Sequence, residues 1–146
     1  SVFTVRNPGS GGYSNRSGSA YIAYCFHSVD GYSKAGSFVG NGSTGTSGPF
    51  VYLGFRPRFI LVKGAVNDAA SDWHIWDSER DGTNPINAVL YPNYSIAEDT
   101  TATYQIDMLS NGFKVTASNA VPFNNNGATY IYYAIAEQPF KYSNPV

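Results

Sequence analysis

The stretch from Gly82 to Asp99, GTNPINAVLYPNYSIAED, carries the side chains best suited to recognition. Tyr91 and Tyr94 can stack on a sugar ring, while Asn84, Asn87 and Asn93 can donate to and accept from its hydroxyls. Tyr also offers amphipathic contact area at low conformational-entropy cost. Two prolines and few core candidates mark the stretch as a long loop, and loops of this size in compact domains are commonly functional. Just upstream, DWHIWD sets Trp73 and Trp76 three apart, hence on opposite faces of a strand. One belongs to the core and the other is available as a stacking platform; we place Trp76 inward and count Trp73 with the binding candidates. The same loop residues serve ordinary packing or a contact between subunits equally well.

Catalytic and metal chemistry find less support. DSERDG at 77–82 sets Asp77, Glu79 and Asp81 at alternate positions before Gly82, as a calcium loop opens. The twelfth position from Asp77 is Ala88, where an EF-hand requires a bidentate Glu, so that site is excluded. The segment reads as a strand end turning through solvent, with Arg80 pairing a carboxylate. His27 and His74 are the only histidines, too few for a metal triad, and alternation turns His74 away from the Trp73 face. Acid pairs for glycoside hydrolysis reduce to Asp72 with Asp77 and Glu98 with Asp99. No nucleophile elbow, phosphate loop or nucleotide fingerprint occurs. The expectation is a protein without catalytic residues, metal ligands or cofactor.

Composition narrows the partners. Charged residues make up 13% of 146 residues, about half of the roughly 25% usual in globular proteins. Neutral polar groups must therefore coat the surface. A net charge of -1 supplies neither the clustered Lys and Arg of a nucleic-acid interface nor the basic patch of a membrane-surface binder. No apolar run reaches the length of a spanning helix, so membrane insertion is not expected. Cys25, the single cysteine, rules out an internal disulfide and a thiolate cage. It reads as a small apolar core residue.

These candidates must be held by strands. Apolar residues recur at period two or in short aromatic and β-branched runs, punctuated by Gly, Asn, Pro and Ser clusters, as in an all-β sandwich or barrel. The pattern places strands near 2–6, 20–28, 34–40, 49–54, 58–63, 73–77, 88–91, 103–108, 112–116 and 128–137. The expected architecture is a jelly-roll-like β-sandwich of short antiparallel strands. Phe59, Ile60, Leu61 and Val62 are apolar on both faces, which suits a strand between layers, and Pro57 fits a strand's first position. Ser110-Asn111-Gly112 reads as a tight hairpin turn with Asn and Gly ready for positive φ.

The chain also repeats itself. GSAYIAYCFHSVDGYS, from Gly18, matches GATYIYYAIAEQPFKYS, from Gly127, about 110 residues later. Gly18, Tyr21, Ile22 and Tyr24 fall on Gly127, Tyr130, Ile131 and Tyr133, and Phe3-Thr-Val5 falls on Phe113-Lys-Val115. This predicts that residues 1–34 are the terminal hairpin of a preceding unit and residues 35–146 a complete C-terminal sandwich domain, the last piece of a longer tandem array.

Four stretches in order, NGS…GPFVYLGFRPRFILVK, WHIWDSERD, DMLSNGFKV and GATYIYYAIAEQPFKYSNPV, resemble a C-terminal domain recurrent in tail proteins of tailed bacteriophages. The resemblance spans roughly residues 35–146 and departs from the usual pattern in the Pro-rich 82–99 loop. It implies a virion tail-fibre component outside the cell, commonly homotrimeric, joined to other tail proteins and touching the host at its exposed end. The expected function is non-enzymatic attachment to a bacterial surface glycan or outer-membrane protein. The rival readings are a structural trimerisation, capping or decoration domain and a polysaccharide depolymerase.

Overall fold

The computed structural model describes residues 3–5, 16–66, 72–117 and 123–138. Among these residues seven strands form: β1 (Ser33–Val39), β2 (Phe50–Tyr52), β3 (Pro57–Val66), β4 (Trp73–Asp77), β5 (Ile106–Leu109), β6 (Gly112–Val115) and β7 (Thr129–Ala136). A short 3-10 turn, Gly45–Ser47, is the one helical element among the described residues. Every strand pair is antiparallel, in two sheets ordered β1-β7-β3-β4 and β2-β6-β5. First and last strands are neighbours in one sheet, second and second-last in the other. The result is a jelly-roll-like sandwich of two antiparallel sheets.

Alternation builds the core. Ile60 and Val62 of β3, Trp76 of β4, and Tyr130, Tyr132 and Ala134 of β7 turn inward from the larger sheet. They meet Val51, Ile106, Met108, Phe113 and Val115 of the smaller sheet in one cluster. Phe113 lies edge-on to both Phe38 and Tyr132, tying the layers together through aromatic contacts. Trp76 is fully buried on the inward face, and its indole N–H donates to the Tyr104 carbonyl at 3.0 Å, so the buried donor is satisfied. His74 is buried on the same face, ringed by Trp76, Tyr91, Tyr104 and Phe123 at centroid distances of 5.1–5.6 Å.

The hairpin from β5 to β6 turns through Ser110 and Asn111, with Leu109 opposite Gly112. Gly112 does not adopt a positive φ. It is needed for closeness, because a Cβ there would lie 2.1 Å from the Val51 carbonyl oxygen of β2.

Several expectations are corrected. Residues 20–28 alternate like a strand, yet they run as an exposed arm outside both sheets, and Cys25 is exposed rather than in the core. At 88–91 no strand forms; Val89 and Leu90 make isolated bridges to Asp99 and Ile75. The 82–99 stretch, read as poor in core residues, contributes Ile86, Ala88 and Val89 to the interior. Of the expected strand at 2–6, residues 3–5 are not in a strand, and Val2 and Arg6 lie outside the described residues.

Candidate functional site

The 82–99 loop is held along its length. Met108 of β5 both donates to and accepts from the Asn84 side chain, at 2.9 and 3.0 Å, so Asn84 stands in for a missing strand partner. The Asp81 carboxylate accepts from the Asn87 and Ala88 amides, and the Asn87 side-chain oxygen accepts from Gln105 at 2.7 Å. Arg80 bridges Asp77 at the end of β4 to Glu98 in the loop. Asn93 accepts from the Trp73 amide and donates to Asp72, both at 3.0 Å, which pins the loop to the start of β4.

The six sequence candidates separate within this bracing. Tyr91 is half-buried against His74 and Tyr104, with its hydroxyl 3.4 Å from Asp99. Burial raises its pKa first, and Tyr104 and Asp99 push in the same direction. Asn84 and Asn87 spend their amides on strand β5 and its flank, away from the loop tip. Tyr94 stands out at 54% exposure with its ring centroid 6.4 Å from that of Tyr91, and a hydrogen bond to Asp72 raises its pKa. Ile96, two residues on, is 60% exposed. Trp73 and Asn93 are brought together beside them, with Lys63 Nζ 5.8 Å from the Trp73 ring centroid.

The acidic candidates are engaged within the fold. Asp77 accepts from the Glu79 and Arg80 amides and from the Arg80 guanidinium. Burial alone would raise its pKa, but these bonds and the Arg80 charge hold it below the ordinary 3.8. Glu79 pairs with Arg58, Glu98 with Arg80, and Asp99 accepts from the Thr101 amide. Among the described residues no three His, Cys, Asp or Glu side chains gather as a metal site.

A second surface was not anticipated. A groove of about 800 Å³ lies on the outer face of the larger sheet, floored by Leu61, Ile75 and Ile131. Tyr24, Phe26 and Tyr133 line it from the side of the arm, and Trp73, Pro92 and Asn93 from the side of the loop. The legible signal was that the runs in β3 and β7, FILV and TYIYYAIA, are apolar on both faces, so burying one face leaves an apolar surface outside.

The fold and these surfaces define a small antiparallel β-sandwich that displays a braced loop and an aromatic-lined groove. The chain belongs to the domain of unknown function family DUF7483, whose model matches residues 1–139. No curated protein and no solved structure matches it.

Proposed function

We propose that this domain is the distal domain of a tailed-phage tail fibre, and that it attaches the particle to its host by binding a bacterial surface glycan or outer-membrane protein without chemistry. The observation that carries this reading is the loop at 91–99. It has no regular structure, yet Asn93 ties it to Trp73, Arg80 holds Glu98, and Asp99 bridges to the buried Val89, while Tyr94 and Ile96 point to solvent. A braced loop loses little conformational entropy on binding, so its exposed side chains contribute more of their contact energy to affinity. The resemblance of the strand and turn stretches to tail proteins supports the setting, and the low charge suits an extracellular surface. In a homotrimeric fibre alongside other tail proteins, three such loops act together through effective concentration, so a weak single site suffices.

The test is binding of the purified chain to bacteria and interference with adsorption of the parent particle. Tyr94→Ser combined with Ile96→Ser should abolish both while leaving the unfolding transition in place, since neither side chain is in the core. Binding that survives the double change removes the loop from the site. A correctly folded trimer that binds no cells selects the structural capping reading, and release of reducing ends from surface polysaccharide selects the depolymerase.

A further inference from the structure

The exposed arm repeats the entry into β7 in three dimensions. A turn spans Arg16 to Ser19, with the Ser19 amide donating to the Arg16 carbonyl at 3.2 Å; its counterpart spans Asn125 to Ala128, with a bond of 3.0 Å. Gly18 and Gly127 occupy the same position in these turns with φ of 77° and 76°, a conformation that favours glycine. In both, the tyrosine that follows folds back on the turn. Arg16 N–H donates to the Tyr21 hydroxyl at 2.9 Å, and Asn125 N–H donates to the Tyr130 hydroxyl at 2.9 Å. Composition can make two Tyr-rich segments alike, but it does not by itself reproduce a turn, a left-handed glycine and a returning hydroxyl bond together.

What differs is burial. Tyr130 is 0% exposed inside the sandwich, whereas Tyr21 is 50% exposed. Phe113 and Val115 of β6 are both 1% exposed, whereas the aligned Phe3 and Val5 are 64% and 42% exposed. The arm thus has the pattern and entry geometry of a strand that belongs inside a sandwich, without a sandwich around it. A strand with this pattern is stable only when neighbouring strands take up its backbone groups and one face is covered.

We propose that residues 16–27 are the closing strand of a second sandwich of this same kind, inserted between its first and third strands as β7 lies between β1 and β3, and that this second sandwich rests on the outer face of the larger sheet described above. The parity of the strand supports the second clause. By the alignment, Ile22, Tyr24 and Phe26 take the outward positions of Ile131, Tyr133 and Ile135. Two of these, Tyr24 and Phe26, line the groove, and Phe26 stacks on the outward Tyr133 at a centroid distance of 4.5 Å. Outward row already meets outward row at that point. Continuing the contact along the arm brings the two sheets back to back across the apolar floor of Leu61, Ile75 and Ile131. The occupant of the groove is then a second unit's sheet rather than a small ligand.

The test asks whether the arm can serve as a closing strand. In the full chain, residues 125–136 are replaced by the sequence of residues 16–27; a second graft also keeps Tyr132 and Ala136, whose counterparts in the arm are Ala23 and His27. A third chain carries the arm residues in scrambled order. The expected result is a single cooperative unfolding transition for at least the second graft, with slow amide exchange across the grafted strand and a lower melting temperature than the parent. The scrambled chain should lack that transition. If both grafts behave like the scrambled chain, the arm does not encode a closing strand and the inference falls. Folding of all three chains alike overturns it as well, because the slot would then accept any sequence of this composition.

Discussion

Gly112 offers a test in which two physical reasons for one glycine predict different outcomes. The turn sequence suggests a left-handed residue, but the structure calls for a close approach. A Cβ at Gly112 would sit 2.1 Å from the Val51 carbonyl oxygen and 3.0 Å from the Phe50 ring. An ordinary carbon–oxygen contact is about 3.3–3.6 Å, so β2 and β6 would have to part by more than roughly 1 Å. Their ladder has three paired positions, from Phe50 opposite Lys114 to Tyr52 opposite Gly112, and cannot spread the strain over many bonds. Overpacking of this kind costs about 1–3 kcal/mol, and with backbone as the obstacle Gly112→Ala belongs at the upper end, about 3 kcal/mol. For a domain of this size that corresponds to a melting temperature lower by roughly 10 °C. Asn tolerates the left-handed region, so Gly112→Asn separates the explanations: steric closeness makes it as damaging as Ala, a backbone requirement makes it mild. Gly54 is the internal control: its φ is 88°, and a Cβ there would meet nothing closer than the Tyr52 hydroxyl at 3.7 Å. At Gly54, then, Asn should be better tolerated than Ala. Thermal unfolding followed by circular dichroism, with urea midpoints as a check, measures all four variants. If Gly112→Asn is tolerated and Gly112→Ala is not, the close-approach argument is refuted.

Asn84→Ala should destabilise by about 1–2 kcal/mol in urea unfolding, because it takes the Asn84 acceptor from the Met108 amide, while the Met108 carbonyl loses one donor and keeps Arg56; Asn84→Asp, which keeps only the acceptor, should fall between. Asp77 has a folded pKa below 3.8, so it contributes stability that is present above that value and lost as pH falls through the lower folded value. Unfolding midpoints between about pH 2 and 5 should therefore drop less steeply for Asp77→Asn than for the parent, and equal slopes would remove Asp77 from the acid response.

Where alternation meets a partner strand, the sequence was readable. Residues 73–77 were expected as a strand and form one with those limits, and the expected strands at 112–116 and 128–137 differ from β6 and β7 by a residue at most at each end. The same pattern misled at 20–28 because a strand is completed by its neighbours, and alternation records only what a segment is suited to join. The loop was harder still. Ile86 and Val89 are buried through isolated bridges to Ile106 and Asp99, an arrangement with no period to detect. Side-chain amides look alike in a sequence, but Asn84 completes strand β5 while Asn93 locks the loop to Trp73, a distinction made by partners distant in the chain. The groove escaped notice because Phe59, Ile60, Leu61 and Val62 were read as a strand covered on both faces, although a sandwich covers only one face of each sheet.

The adjacency of β1 and β7 bears on how the domain carries load. Ser33 lies opposite Ile135, and the Ala136 amide donates to the Tyr32 carbonyl at 2.8 Å, so the chain enters and leaves the larger sheet at the same end of neighbouring antiparallel strands. Tension applied through these two points would open the β1–β7 ladder one rung at a time, like a zipper, instead of shearing its bonds together. Such a unit yields at low force when it is a link in a stretched chain and is spared when the pull bypasses one of its ends.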